Sequence, residues 1–199
     1  MAARFIRKIK KKFHFYEAIT GMSEIMRRSF VNNSFDGALT MLGVVLGSYI
    51  AGITEAILVL KLGLATSIAV GISGLTGAMF AENAERKRQI REMEAALHRK
   101  LDDTEFKKAH DSASILVAVV DGLSPLIASL IILTPFFLIG PAEINLAYQA
   151  SIVLSLTVFF IIGAFLGRIS GDSLLITGAK LILAGIICMI FILLLEGIQ

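Results

Sequence analysis

The sequence predicts an all-α membrane protein: five transmembrane helices, with a short cytoplasmic helical hairpin between spans two and three. Three observations carry this. Hydrophobic residues make up 56% of the chain and the mean hydropathy is +0.79, where soluble domains sit near ~45–50% apolar. The apolar residues gather into five runs, 36–58, 62–83, 113–139, 147–167 and 174–195, each near the length of about 20 residues that a helix needs to cross a bilayer. The runs do not alternate polar and apolar, so they do not describe the strands of a membrane barrel.

Taken in order, residues 1–35 form a basic cytoplasmic tail followed by an interfacial amphipathic helix. Phe15, Ile19, Met22 and Met26 recur at helical spacing beside the basic tail, the pattern of a helix lying in a membrane interface. No continuous apolar core of a signal peptide precedes them. Asn32-Asn33-Ser34 predicts a break or cap before span one. Residues 36–199 then form the five-helix domain. A very short outer turn near Lys61 joins spans one and two, Pro141–Asn145 joins three and four outside, and Gly167–Asp172 joins four and five inside. Small residues line the spans (Gly43 and Gly47; Gly71, Gly74 and Gly77; Gly163 and Gly167), which lets helix backbones approach closely in lipid, within one subunit or between two.

The segment 82–112 is the one sizeable cytoplasmic element. Ile90, Met93, Leu97 and Leu101 recur at helical spacing, so span two continues as a helix. Asp102-Asp103-Thr104 predicts a turn, with Asp103 or Thr104 capping a second helix that leads into span three.

Charge placement sets the orientation. Net charge is +3. Arg and Lys cluster before span one and again in 86–108, with Arg168 between spans four and five, while the opposite side holds only Lys61. By the positive-inside rule the N-terminus is cytoplasmic and five spans place the C-terminus outside. This flanking role accounts for the basic clusters without a nucleic-acid partner. The single cysteine, Cys188, allows neither an internal disulfide nor a cysteine metal cluster.

The polar residues inside or beside the spans are the candidates for chemistry, because a carboxylate in a span costs several kcal/mol. Asp36 starts span one, and Thr40, Gly43 and Gly47 follow on its face. Met79 and Glu82 end span two on the same side. A carboxylate with a thioether suits a soft-leaning transition metal better than Mg(II) or Ca(II). Lipid contact or packing is the commoner fate of a lone methionine in a span. Asp121 lies two to three turns into span three and Lys180 about two turns into span five, roughly 10–14 Å deep. They are expected to pair as a structural tie, or Lys180 snorkels to the interface. Glu94, His98 and Asp102 are spaced i, i+4, i+8, with Glu82, Glu85 and Glu92 on a neighbouring stripe. These donors suit Fe(II), Mn(II) or Zn(II), or else form a solvated face paired with Arg88, Arg91 and Lys100. No hydrolase, metalloprotease or phosphate-loop motif appears, so an enzyme is not expected.

Four stretches carry a resemblance. Asp36-Gly37-Ala-Leu-Thr-Met-Leu-Gly-Val-Val-Leu-Gly47 and Gly74-Leu-Thr-Gly-Ala-Met79-Phe-Ala-Glu82 resemble the first and second spans of the vacuolar iron transporters. Gly163-Ala-Phe-Leu-Gly167-Arg168-Ile-Ser-Gly171 and Gly178-Ala-Lys180-Leu-Ile-Leu-Ala-Gly185 resemble their fourth and fifth. The resemblance implies a divergent prokaryotic-type member: a five-span homodimer in the cell membrane that moves Fe(II), and Mn(II) in some members, out of the cytosol, commonly in exchange for protons. It implies a path at the two-fold interface carried by Asp36 and Met79. It implies metal gathering by Glu82, Glu85, Glu92, Met93, Glu94 and Glu105, with no permanently bound cofactor. The chain departs from the family pattern at Phe35, where Asn usually precedes the Asp-Gly, and at Gly71, where plant members carry a glutamate. The alternative is a non-transporting membrane scaffold whose cytoplasmic helical loop binds a partner.

Overall fold

The computed structural model describes residues 14–101, 104–138 and 143–194. All regular structure among them is helical: α1 (Met22–Ile50), α2 (Ala56–Leu97), α3 (Glu105–Leu138), α4 (Ile144–Ser170) and α5 (Leu174–Leu194), preceded by a helical stretch at 14–20. Four of these, α2 to α5, are long and apolar enough to cross a membrane, and the protein is an integral membrane protein. Side chains such as Phe80, Val153, Leu175 and Phe191 stand exposed, as a lipid-facing surface requires. The 42 residues of α2 span about 63 Å at 1.5 Å each, roughly twice a hydrocarbon core of ~30 Å. One end of α2 therefore leaves the bilayer, and the charges that begin at Glu82 mark which.

Boundaries differ from the sequence expectation at the first two helices. The expected break at Asn32-Asn33-Ser34 is absent, and α1 runs unbroken through it. Asparagine costs only about 0.7 kcal/mol in a helix interior, too little to interrupt one with Ser34 buried against its neighbours. The break falls earlier, at Gly21, whose φ of +57° favours glycine. The apolar stretch of α1 is interrupted by Asn33 and Asp36 and stops at Ile50, and α1 is not among the four apolar helices. The link to α2 is 51–55, not the neighbourhood of Lys61, which lies inside α2. Gly52, at φ +68°, makes that turn, and the Ala51 and Ile53 N–H groups bond back to Gly47 and Ser48. At the other expected turn, α2 runs to Leu97 and the Thr104 hydroxyl caps α3 by accepting the Lys107 N–H at 3.3 Å. Asp102 and Asp103 lie outside the described residues.

The chain divides into two compact units. The apolar unit holds the described residues of 31–72 and 123–194. Its core gathers Met41, Leu42 and Val45 of α1, Ile132 and Leu133 of α3, and Phe159 of α4. Glycines set its crossings. A Cβ at Gly37 would fall within 2.7 Å of the Pro125 backbone, and one at Gly163 within 2.7 Å of Gly178 Cα and Thr177 O. Hydroxyls satisfy its carbonyls: Thr134 donates to Ile131 O at 2.7 Å, the acceptor left unmet because Pro135 has no N–H. Ser151 reaches from α4 to Ile132 O on α3 at 2.9 Å, and the Tyr148 hydroxyl donates to Ile53 O at 2.9 Å, closing the 51–55 turn.

The charged unit holds the described residues of 14–30 and 73–122. Of the predicted stripe, Ile19, Met22 and Met26 cluster with Tyr16 and with Ala109 and Ala113 of α3, while Phe15 is exposed. A Cβ at Gly74 would lie 2.6 Å from Asp121 O and 3.4 Å from Gly122 Cα. The two Asp-Gly pairs of the chain, Asp36-Gly37 and Asp121-Gly122, thus each sit at a close helix crossing, one in each unit.

Candidate functional site

On α1, Asp36 and Thr40 are exposed, Gly43 is half-buried and Gly47 exposed. At i, i+4, i+7 and i+11 they form one stripe, polar at one end and small along the rest. The opposite face, with Ala38, Met41, Leu42 and Val45, is buried. The single chain therefore leaves a carboxylate and a hydroxyl uncovered on a helix of the apolar unit.

Met79 and Glu82 belong to the charged unit. Met79 is 42% exposed. Glu82 is half-buried and holds an ion pair one turn on: its Oε2 lies 3.2 Å from Nη2 of Arg86, whose side chain is only 5% exposed. Arg86 Nη1 lies 3.3 Å from His110 Nδ1 on α3. Guanidinium has no acceptor, so arginine donates and the imidazole is neutral with Nδ1 bare. Phe106 packs against the ring at a tilt of 49°, with centroids 4.4 Å apart, and Ser114 donates to His110 O at 3.2 Å. Burial pushes the His110 pKa below its ordinary value and the Arg86 charge adds to this, against a smaller opposing pull from Asp111. Arg86 Nε and His110 Nε2 are buried without a hydrogen-bond partner among the described residues, and the Nη2–Glu82 contact lacks hydrogen-bond alignment.

The remaining predicted donors spread over the surface of the α2 end. Glu85 accepts from Arg88 at 2.8 Å and from Gln89 at 3.2 Å. The Arg88 bond holds the Glu85 carboxyl below its usual range, and Glu85 in turn raises Arg88. Glu92 lies 3.7 Å from the same arginine, and Glu105 pairs with Lys108 at 3.2 Å. Helix α2 ends at Leu97, and His98 takes φ +52° with its Nδ1 2.7 Å from Ala95 O. The Glu94–His98 spacing is thus not continued along a helical face. Glu94 instead accepts the Leu101 N–H at 2.8 Å, closing the helix end, and Asp102 is outside the described residues. Among the described residues no three His, Cys, Asp or Glu side chains gather to hold a metal ion. Asp121 is half-buried in the charged unit, and Lys180 is exposed on α5 in the other.

Arg86 and His110 were not singled out by sequence reasoning, yet a signal existed. Glu82, Arg86 and Ile90 recur at i, i+4, i+8, and Ile90 is buried in an otherwise charged stretch. His110, Ser114 and Val117 recur at i, i+4, i+7, all buried. A charge in register with buried residues points inward, and this one does.

No family model matches the chain. It is similar to the uncharacterized protein MJ0645 of Methanocaldococcus jannaschii, with 32% identity over 158 residues, covering 78% of this chain and 80% of the relative.

Proposed function

Because the chain belongs to the family of protein MJ0645, a name that carries no activity, we propose a function from the residues themselves: a membrane transporter that moves a divalent transition metal, Fe(II) or Mn(II), out of the cytosol. In this reading α1 is the fifth span. Its 31–50 portion packs into the same core as the apolar helices, with Phe35 on Phe159 at 5.2 Å between ring centroids. The ends of α2 and α3 that meet through Arg86 and His110 form the cytoplasmic hairpin, since they carry the basic clusters.

The observation that carries the reading is the uncovered stripe Asp36–Thr40–Gly43–Gly47 on α1. An aspartate facing lipid costs about 2.5–3.5 kcal/mol on insertion scales. Covered by a second copy across a two-fold axis, the same stripe becomes a shared polar path, because the symmetry doubles each donor. Thioether and carboxylate donors at Met79 and Glu82, both accessible on the single chain, match a transition metal rather than a hard cation. Exchange for protons, export from a prokaryotic cell membrane and resemblance to the vacuolar iron transporters belong to this proposal.

The test is Mn(II) and Fe(II) flux in proteoliposomes with and without a pH gradient. Asp36→Ala is expected to abolish flux while the protein stays folded and dimeric. Unchanged flux removes Asp36 from the path. A folded wild type that moves no metal under either condition returns the chain to the scaffold reading.

A further inference from the structure

We infer that Arg86 is a tethered cation that holds the Glu82 carboxylate in place of a metal and, when a metal takes Glu82, falls back on His110 Nδ1. This rests on the transport reading of Glu82 and adds two positioning residues to it. The guanidinium has two partners, an anion at 3.2 Å on its own helix and a neutral acceptor at 3.3 Å on α3. Arginine cannot shed its charge, so it competes permanently for any carboxylate it touches.

Burial separates this pair from an ordinary i, i+4 surface contact. The Arg86 side chain is 5% exposed, so a displaced guanidinium cannot simply turn into water. It needs a second acceptor at hand, and the His110 ring, held by Phe106, supplies one. The orphaned Arg86 Nε and His110 Nε2 show that the present arrangement leaves donors unmet. Burying a polar group without a partner is costly, but this cost is common to the states with and without Glu82 on the guanidinium, whereas the Nη1 contact to His110 Nδ1 persists in both. Met79 lies one turn before Glu82 on the same helix face, which places a soft donor beside the carboxylate that Arg86 vacates.

Mn(II) titration of the detergent-purified full chain, read by calorimetry, tests this. An adjacent opposite charge changes a carboxylate's affinity for a proton by about tenfold or more, so Arg86→Gln should bind Mn(II) about tenfold more tightly than wild type. The gain should vanish in Glu82→Gln combined with Arg86→Gln, and Arg86→Lys, which keeps the charge, should fall back toward wild type. His110→Phe removes the second acceptor while keeping an aromatic ring against Phe106, and should weaken Mn(II) binding. Wild-type binding that is lost in Glu82→Gln but unchanged in Arg86→Gln overturns the tethered-cation role alone. Should Arg86→Gln not fold, unchanged or tighter binding by His110→Phe does the same. Binding that survives Glu82→Gln, or is absent from wild type and Arg86→Gln alike, overturns the metal role of Glu82 and this inference with it.

Discussion

The two units solve the same problem, buried polarity, in opposite ways. In the apolar unit, polar atoms are small and locally paid off. Ser67, Ser155 and Thr177 each donate to a carbonyl one turn back, and Ser151 and Tyr148 bond backbone carbonyls of other elements. Two of its helix contacts, at Gly37 and Gly163, set glycine directly against backbone. In the charged unit, a full guanidinium and an imidazole are buried together and leave donors unmatched. The first arrangement depends on shape and is indifferent to pH. The second depends on protonation. The difference teaches where each unit breaks.

The largest expected effect is steric and lies in the apolar unit. Gly163→Leu forces a side chain into Gly178 and the Thr177 carbonyl of α5, where even a Cβ would approach within 2.7 Å of backbone. Backbone cannot yield as a flexible side chain can. Overpacking costs typically ~1–3 kcal/mol and more where nothing relaxes, so this variant should sit at or above the upper figure. Thermal unfolding in detergent measures it, and the loss should be the same at pH 5.5 and 7.5. A melting temperature within a few degrees of wild type would mean that α4 and α5 do not cross at these glycines.

Next comes pH, and it should act on the charged unit alone. Burial holds the His110 pKa below its unfolded value, which is near ~6.5. The folded state therefore binds fewer protons than the unfolded state, and stability rises with pH across the interval between the two values. The contribution of neutral His110 is complete above about pH 6.5 and is lost as pH falls toward the lower folded value. Protonation places two cations side by side, with exposed Asp111 as weak compensation. Protection against hydrogen exchange at 105–122, taken relative to the intrinsic amide rate at each pH, should fall between pH 7 and pH 5, while protection at 144–170 stays level. His110→Phe should remove the difference. Equal loss of protection in both regions would show that the acid response is global and that the Arg86–His110 contact does not localise it.

The contrast between the units also separates what was legible in the sequence from what was not. Apolar length alone foretold α4, α5 and the far end of α3 within three residues, because a helix in lipid must satisfy its own backbone and has no competing structure, though α3 begins eight residues before its apolar run. Thr104 was legible as a cap for the same local reason. The 51–55 turn was not, since Gly52 and the Tyr148 bond that closes it come from separate parts of the chain. The continuity of α1 through Asn32-Asn33-Ser34 was missed because packing outweighed weak propensities. At the candidate site, the sequence pointed to Asp36, Met79 and Glu82 by chemical type and spacing. It passed over Arg86 and His110, because charge was weighed there as topology. Only their register with Ile90 and Val117 distinguishes a buried arginine from the solvated ones beside it.

The smallest effect sharpens that last distinction. Arg88 lies two residues from Arg86 and reaches two carboxylates, Glu85 at 2.8 Å, shorter than either Arg86 contact, and Glu92 at 3.7 Å. Counted by bonds it looks the more important arginine. Its side chain is 64% exposed, however, and an exposed pair is screened by water and salt and must hold two long side chains still. Arg88→Ala should leave the melting temperature and the exchange rates at 105–122 unchanged. Arg86→Ala should accelerate that exchange, because it strands Glu82 and removes the donor to His110 Nδ1. If the two variants behave alike, burial is not what sets Arg86 apart, and the charged unit is held by its surface network instead.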